Sequence, residues 1–89
     1  MQKRDLKAAL KLMEEMGELQ QALAKLINFP DGHPDGKDWR AKFVAELADV
    51  NAAVYVAAET LLSCSEFADY VNASAAEVGK NLKHLKEEG

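Results

Sequence analysis

Lys11-Leu12-Met13-Glu14-Glu15-Met16-Gly17-Glu18-Leu19 and Lys42-Phe43-Val44-Ala45-Glu46-Leu47-Ala48-Asp49-Val50 are two versions of one pattern, and together they decide the fold. The offsets 42 − 11, 46 − 15, 49 − 18 and 50 − 19 all equal 31. In each copy two acids stand three residues apart, so on a helix turning about 100° per residue they lie roughly 60° from one another. Each copy also carries an apolar stripe at helical period: Leu12, Met16, Leu19, Leu23 and Leu26, then Phe43, Leu47, Val50, Val54 and Ala57. If the stripes pack as an antiparallel helix pair, the acids of both helices meet at one edge of the seam. Four carboxylates, from Glu15, Glu18, Glu46 and Asp49, then converge on a small volume.

Working outward, good helix formers without proline run from about Leu6 to Asn28, with Asp5 placed to cap them. Phe29 to Lys37 repeats Pro-Asp-Gly, at 30–32 and 34–36, and reads as a loop of turns. Asp38 offers the next cap, and helical spacing resumes from Trp39 to about Leu62. Ser63-Cys64-Ser65-Glu66 interrupts it, with Ser65 expected to cap a short helix through Val71. Ser74-Ala75-Ala76-Glu77 has capping-box spacing and is expected to open a last helix that stops before Gly89. No strand-like alternation is present. The expected fold is all-α, a single domain over 1–89: two long antiparallel helices plus a short and a medium one, four-helix-bundle-like and completed by oligomerisation.

Composition narrows the function classes. With 48% apolar and 29% charged residues the chain is too apolar for disorder, and 89 residues build only a modest core, which favours self-association. A net charge of −4 with no basic stripe excludes wrapping of a nucleic-acid polymer. The lone Cys64 rules out an intramolecular disulfide and reads as a small core or interface residue. With no signal-like or membrane-length apolar run, no membrane partner and a cytoplasmic setting are expected.

Oxygen-only ligands suit Mg²⁺, or Mn²⁺ as a substitute, better than zinc or copper. Four carboxylates outweigh one such ion, so two or three ions, or one ion with a polyphosphate, fit the charge. Ions of this kind bridge phosphate oxygens, and one glutamate, with Glu14 available, could take a proton from water. The competing reading is a solvated surface on which Lys11–Glu15 and Lys42–Glu46 are ordinary i,i+4 ion pairs. A di-iron carboxylate bundle is disfavoured, because the i+3 partners are Glu18 and Asp49 rather than histidines.

Glu14-Glu15-x-x-Glu18 followed by Glu46-x-x-Asp49, with the flanks Leu19-Gln20-Gln21-Ala22 and Val50, resembles the paired signature of the MazG-like nucleotide pyrophosphohydrolases, of the all-α NTP pyrophosphatase superfamily. The resemblance covers the first two helices and their loop. It implies hydrolysis of a nucleoside triphosphate, a deoxynucleotide included, to the monophosphate and pyrophosphate by water attack at the α-phosphorus. It also implies Glu15, Glu18, Glu46 and Asp49 as Mg²⁺ ligands, Glu14 as an additional catalytic acid beside Glu15, and a homodimer or homotetramer. Such enzymes often bring a late-helix cation to the phosphates, and Lys80 and Asn81 are the nearest matches.

Lys25 shares a face with Glu18 and could meet a phosphate, and Trp39 or Phe29 could stack on a base, with core packing the default for both aromatics. His33 reads as exposed and idle, and Asp31 and Asp35 lack calcium-loop spacing. A non-catalytic helical module that binds a nucleotide or a partner helix is the alternative function.

Overall fold

A computed structural model describes residues 1–88. It is all-helical: α1 spans Lys3–Asn28, α2 Trp39–Leu61 and α3 Cys64–Glu88. Asp5 does not cap α1 from outside. Gln2 is the N-cap, and Asp5, in the first turn, accepts the Gln2 backbone N–H at 3.2 Å. The helix closes where Phe29 N–H donates to the Lys25 carbonyl at 2.9 Å and Pro30 forbids continuation.

The loop is two tandem β-turns. Gly32 N–H donates to Phe29 O at 3.2 Å and Gly36 N–H to His33 O at 3.0 Å, so each proline sits second in its turn and each glycine last. Both glycines have positive φ, 131° and 76°, which a side chain would strain. Asp35 then ties the loop to α2. It accepts Lys37 N–H at 2.9 Å and the Trp39 indole N–H at 3.1 Å. Asp38 caps α2 as expected, accepting Ala41 N–H at 3.1 Å.

Two expectations about the last third are corrected. Ser63, not Ser65, begins α3. Its backbone N–H donates to Glu66 at 2.9 Å while Glu66 N–H donates back to its hydroxyl at 3.2 Å, a complete capping box. The short and medium helices are one continuous helix, with Ser74 in its interior. The run Ala73-Ser74-Ala75-Ala76 contains no breaker, and alanine's high propensity carries the helix through. The S-x-x-E spacing at 74–77 has no cap to make, and Glu77 pairs instead with Lys80 at 3.7 Å. Gly89, expected to end the helix, lies outside the described residues.

α1 and α2 pack along their length, and Lys25 lies against Trp39 at one end while Ala8 and Ala53 line one cavity toward the other, so the pair is antiparallel. The seam has a strict 4,3 rhythm. Ala8, Leu12, Glu15, Leu19, Ala22 and Leu26 are buried, half-buried or, for Glu15, buried as a charge, and Trp39, Phe43, Glu46, Val50, Ala53 and Ala57 repeat them at the same offset. Met16, Leu23 and Leu47, expected inside, are exposed. A 3.5-residue seam is narrower than the stripe drawn from apolar residues alone, and the acids take two of its places.

Among the described residues no large side chain is fully buried, and the buried apolar set is Ala22, Trp39, Ala53, Ala57 and Ala58. α3 leaves the hairpin after the edge-to-face contact of Tyr55 with Phe67, whose centroids lie 5.9 Å apart. Val71, Val78, Leu82 and Leu85 along it are exposed, and so is Cys64, which is therefore not a core residue of the chain. The accessible surface is 7028 Å². A compact monomer of this mass exposes about 5,200 Å². No helix among the described residues is long and apolar enough to cross a membrane.

Candidate metal centre

The site is built where the seam's rhythm places charge instead of methyl groups. Glu15 on α1 and Glu46 on α2 occupy equivalent seam positions, and their relative exposures are 5% and 3%. Glu18, one turn beyond Glu15, reaches the same spot from the rim. One carboxylate oxygen from each of Glu15, Glu18 and Glu46 lies within 4.8 Å of the others. Buried alanines at 22 and 53 line the seam one turn or two from these acids, and small residues permit the close backbone approach that lets glutamates meet.

Each buried acid has one satisfied and one orphaned oxygen. Lys11 Nζ lies 2.8 Å from Glu15 Oε1, and Lys42 Nζ lies 3.5 Å from Glu46 Oε1, both as i,i+4 pairs. Glu15 Oε2 and Glu46 Oε2 are buried without any hydrogen-bond partner. An unpartnered buried carboxylate oxygen is costly unless a cation reaches it, and the donor set of hard oxygens is the kind that Mg²⁺ accepts. The charges act on one another. Glu15 foremost, then Glu46, then burial, push the Glu18 carboxyl above its ordinary range. The hydrogen bond to Glu15 pushes the Lys11 ammonium up, helped by the charge of Glu14.

Asp49 is not one of the three acids whose oxygens lie within 4.8 Å of one another. It lies on the wall of a cavity of about 330 Å³ together with Ala8, Lys11, Glu15, Ala52 and Val56. Glu14 is exposed and outside the group. Glu15 and Glu46 lie inside the seam and Glu18 on its rim, with Asp49 on the wall of the cavity that Glu15 also lines.

The other expected substrate contacts are not brought to the acids within a chain. Trp39 is buried at the loop, its indole N–H held by Asp35 and its ring approached by Lys25 Nζ at 5.7 Å and Lys37 Nζ at 6.0 Å. Core packing, the default, describes it, and Lys25 is committed to the same ring. His33 is not idle. It is half-buried, edge-on to Phe29 at 4.4 Å, with Nδ1 3.0 Å from Asp35 Oδ1. Burial pushes the Asp35 carboxyl up, but the N–H groups of Lys37 and Trp39 together with His33 outweigh it, and the net shift is downward. Lys80 and Asn81 are exposed on α3, away from the hairpin seam. The Asp35 hub is the feature that sequence reasoning missed; its signal is the i,i+4 spacing to Trp39 across a helix start.

Comparison with family models, with curated proteins and with solved structures found no match to this chain.

Proposed function

We propose that this chain is a Mg²⁺-dependent nucleoside triphosphate pyrophosphohydrolase of the MazG-like kind, acting on a ribo- or deoxynucleotide in the cytoplasm. The observation that carries the reading is the pair of buried seam glutamates, each with an orphaned oxygen, beside Glu18. Apolar side chains of similar size would stabilise such a seam better, so the acids call for a cation.

Glu15, Glu18 and Glu46 would hold the ion, with Asp49 positioned on the adjoining cavity wall to extend the site toward a phosphate chain. The bound ion supplies charge neutralisation to the phosphates. Glu14, next to Glu15 and open to solvent, serves as general base: its carboxylate takes a proton as the water oxygen bonds to the α-phosphorus. The bond to the α–β bridging oxygen breaks, and pyrophosphate leaves.

Self-association belongs to the proposal. The exposed surface exceeds that of a compact monomer, and Val71, Val78, Leu82 and Leu85 form a stripe on α3 with no cover from its own hairpin. A groove bounded by Met13, Met16 and Gly17 opens on the outer face of α1. Pairing of chains, as a homodimer or homotetramer, is also how Lys80 and Asn81 would reach a site.

The test is direct. The purified protein is incubated with Mg²⁺ and each nucleoside triphosphate in turn, and products are separated. Monophosphate plus pyrophosphate is expected, with at least about a hundredfold loss in Glu46→Gln. Diphosphate plus phosphate would refute the chemistry. Nucleotide-induced thermal stabilisation without turnover would instead favour a non-catalytic nucleotide-binding module.

A further inference from the structure

The two ion pairs at the seam have a property that surface pairs lack. In each, the carboxylate end is buried while the ammonium end is largely solvated, with side-chain exposures of 60% for Lys11 and 57% for Lys42. Each lysine engages only Oε1 of its glutamate and leaves Oε2 bare. The pairs are equivalent by position, 11 to 15 and 42 to 46, one on each helix. Together they place two positive charges on the two buried carboxylates, the charge of one divalent ion. A buried carboxylate stripped of its counter-charge is strongly unfavourable, whereas a lysine on a flexible stem with its head already in water is released at little cost.

We infer that Lys11 and Lys42 are exchangeable counter-cations, an inference that rests on the Mg²⁺ reading of the site. They balance Glu15 and Glu46 while no divalent ion is bound and give up the carboxylates when one arrives. Exchange of two ammonium groups for one divalent ion leaves the charge of the seam unchanged. The released Lys11 remains on the wall of the cavity it shares with Asp49, where it pairs with the phosphate chain. Lys42 borders a different cavity, with Lys37, Asp38 and Trp39, and has no such second partner.

Calorimetric titration of Mg²⁺ alone into the wild type, Lys11→Met, Lys42→Met and, as control, Lys86→Met, an exposed lysine in the last turn of α3, tests the exchange. Removing a competing charge a few ångströms from the ion should tighten Mg²⁺ binding about tenfold in each seam variant, and Lys86→Met should match the wild type. A second titration, of inorganic pyrophosphate at saturating Mg²⁺, should show about tenfold weaker binding in Lys11→Met and little change in Lys42→Met. Mg²⁺ binding that is unchanged or weaker in Lys11→Met overturns the exchange, and unchanged pyrophosphate binding there overturns the phosphate role. A wild type that binds no Mg²⁺ sinks the underlying reading instead. Should Lys11→Met lose helicity by circular dichroism, Lys11→Gln removes the charge with less change in polarity and takes its place in both titrations.

Discussion

Glu46→Gln should make the metal-free protein more stable, not less. Glu15 and Glu46 are both at least nine-tenths buried, with ligand oxygens within 4.8 Å of each other. At an effective dielectric constant of about 20 two such charges repel by about 3.5 kcal/mol. The opposing attraction of Lys42, at 3.5 Å but with most of its side chain in water, is worth no more than about 1 kcal/mol. An amide that loses part of its hydrogen bonding costs about 1 kcal/mol in turn. The balance is a gain of about 1–2 kcal/mol, or a rise of about 5–15 °C in Tm for a chain of this length. Thermal unfolding is followed by circular dichroism in EDTA, at fixed protein concentration because self-association would shift Tm. Mg²⁺ at a hundredfold excess over its Kd should then add about 2.7 kcal/mol to the wild type and nothing comparable to the variant. A metal-free Glu46→Gln that unfolds below the wild type by about 1 kcal/mol or more would refute the reasoning, because Lys42–Glu46 would then be a structural ion pair rather than a restrained charge.

Ser63→Ala should cost about 1 kcal/mol in urea unfolding through loss of the α3 cap, whereas Ser74→Ala, in the helix interior, should be neutral or slightly stabilising. Trp39→Phe removes the indole N–H held by Asp35 and should lower stability by about 1–2 kcal/mol, with faster hydrogen exchange in the 29–38 loop. The Ser63 backbone N–H, then its side chain, pull the Glu66 carboxyl below its ordinary range, so its contribution is present above the ordinary carboxylate pKa and is lost as pH falls through the lowered value. The acid unfolding of Ser63→Ala should accordingly be less steep than that of the wild type. Glu18 is shifted the other way, so the metal-free protein should lose stability as pH rises from the ordinary carboxylate range through its raised value, a trend that Mg²⁺ should erase.

The helix hairpin was legible because its signals are local. Proline and glycine at 30–36 fix turns by their own backbone limits, and Asp38 caps α2 with a side chain three residues from its target. The last helices misled for the same reason: Ser63-x-x-Glu66 and Ser74-x-x-Glu77 carry the same spacing, and only the break after Leu62 tells which one begins a helix. The seam shows a different limit. Counting apolar residues drew a stripe through Met16 and Leu23, while the 4,3 rhythm that includes Glu15 and Glu46 was present but masked, because charged residues are not ordinarily assigned to an interior. The position of Asp49 depends on how the two helices rotate against each other, which no spacing within one helix specifies.

The alanines at 22, 53, 57 and 58 give the hairpin a gauge. Small residues at a helix crossing fix the distance between axes near its lower limit, and the reach of a glutamate side chain then fixes how far apart opposing oxygens can stand. For an ion held as proposed above, the seam would thereby set an aperture for ionic radius. A leucine at Ala53 would widen that aperture without touching a single ligand, and the discrimination between a small ion such as Mg²⁺ and a larger one such as Ca²⁺ would follow the width of a methyl group.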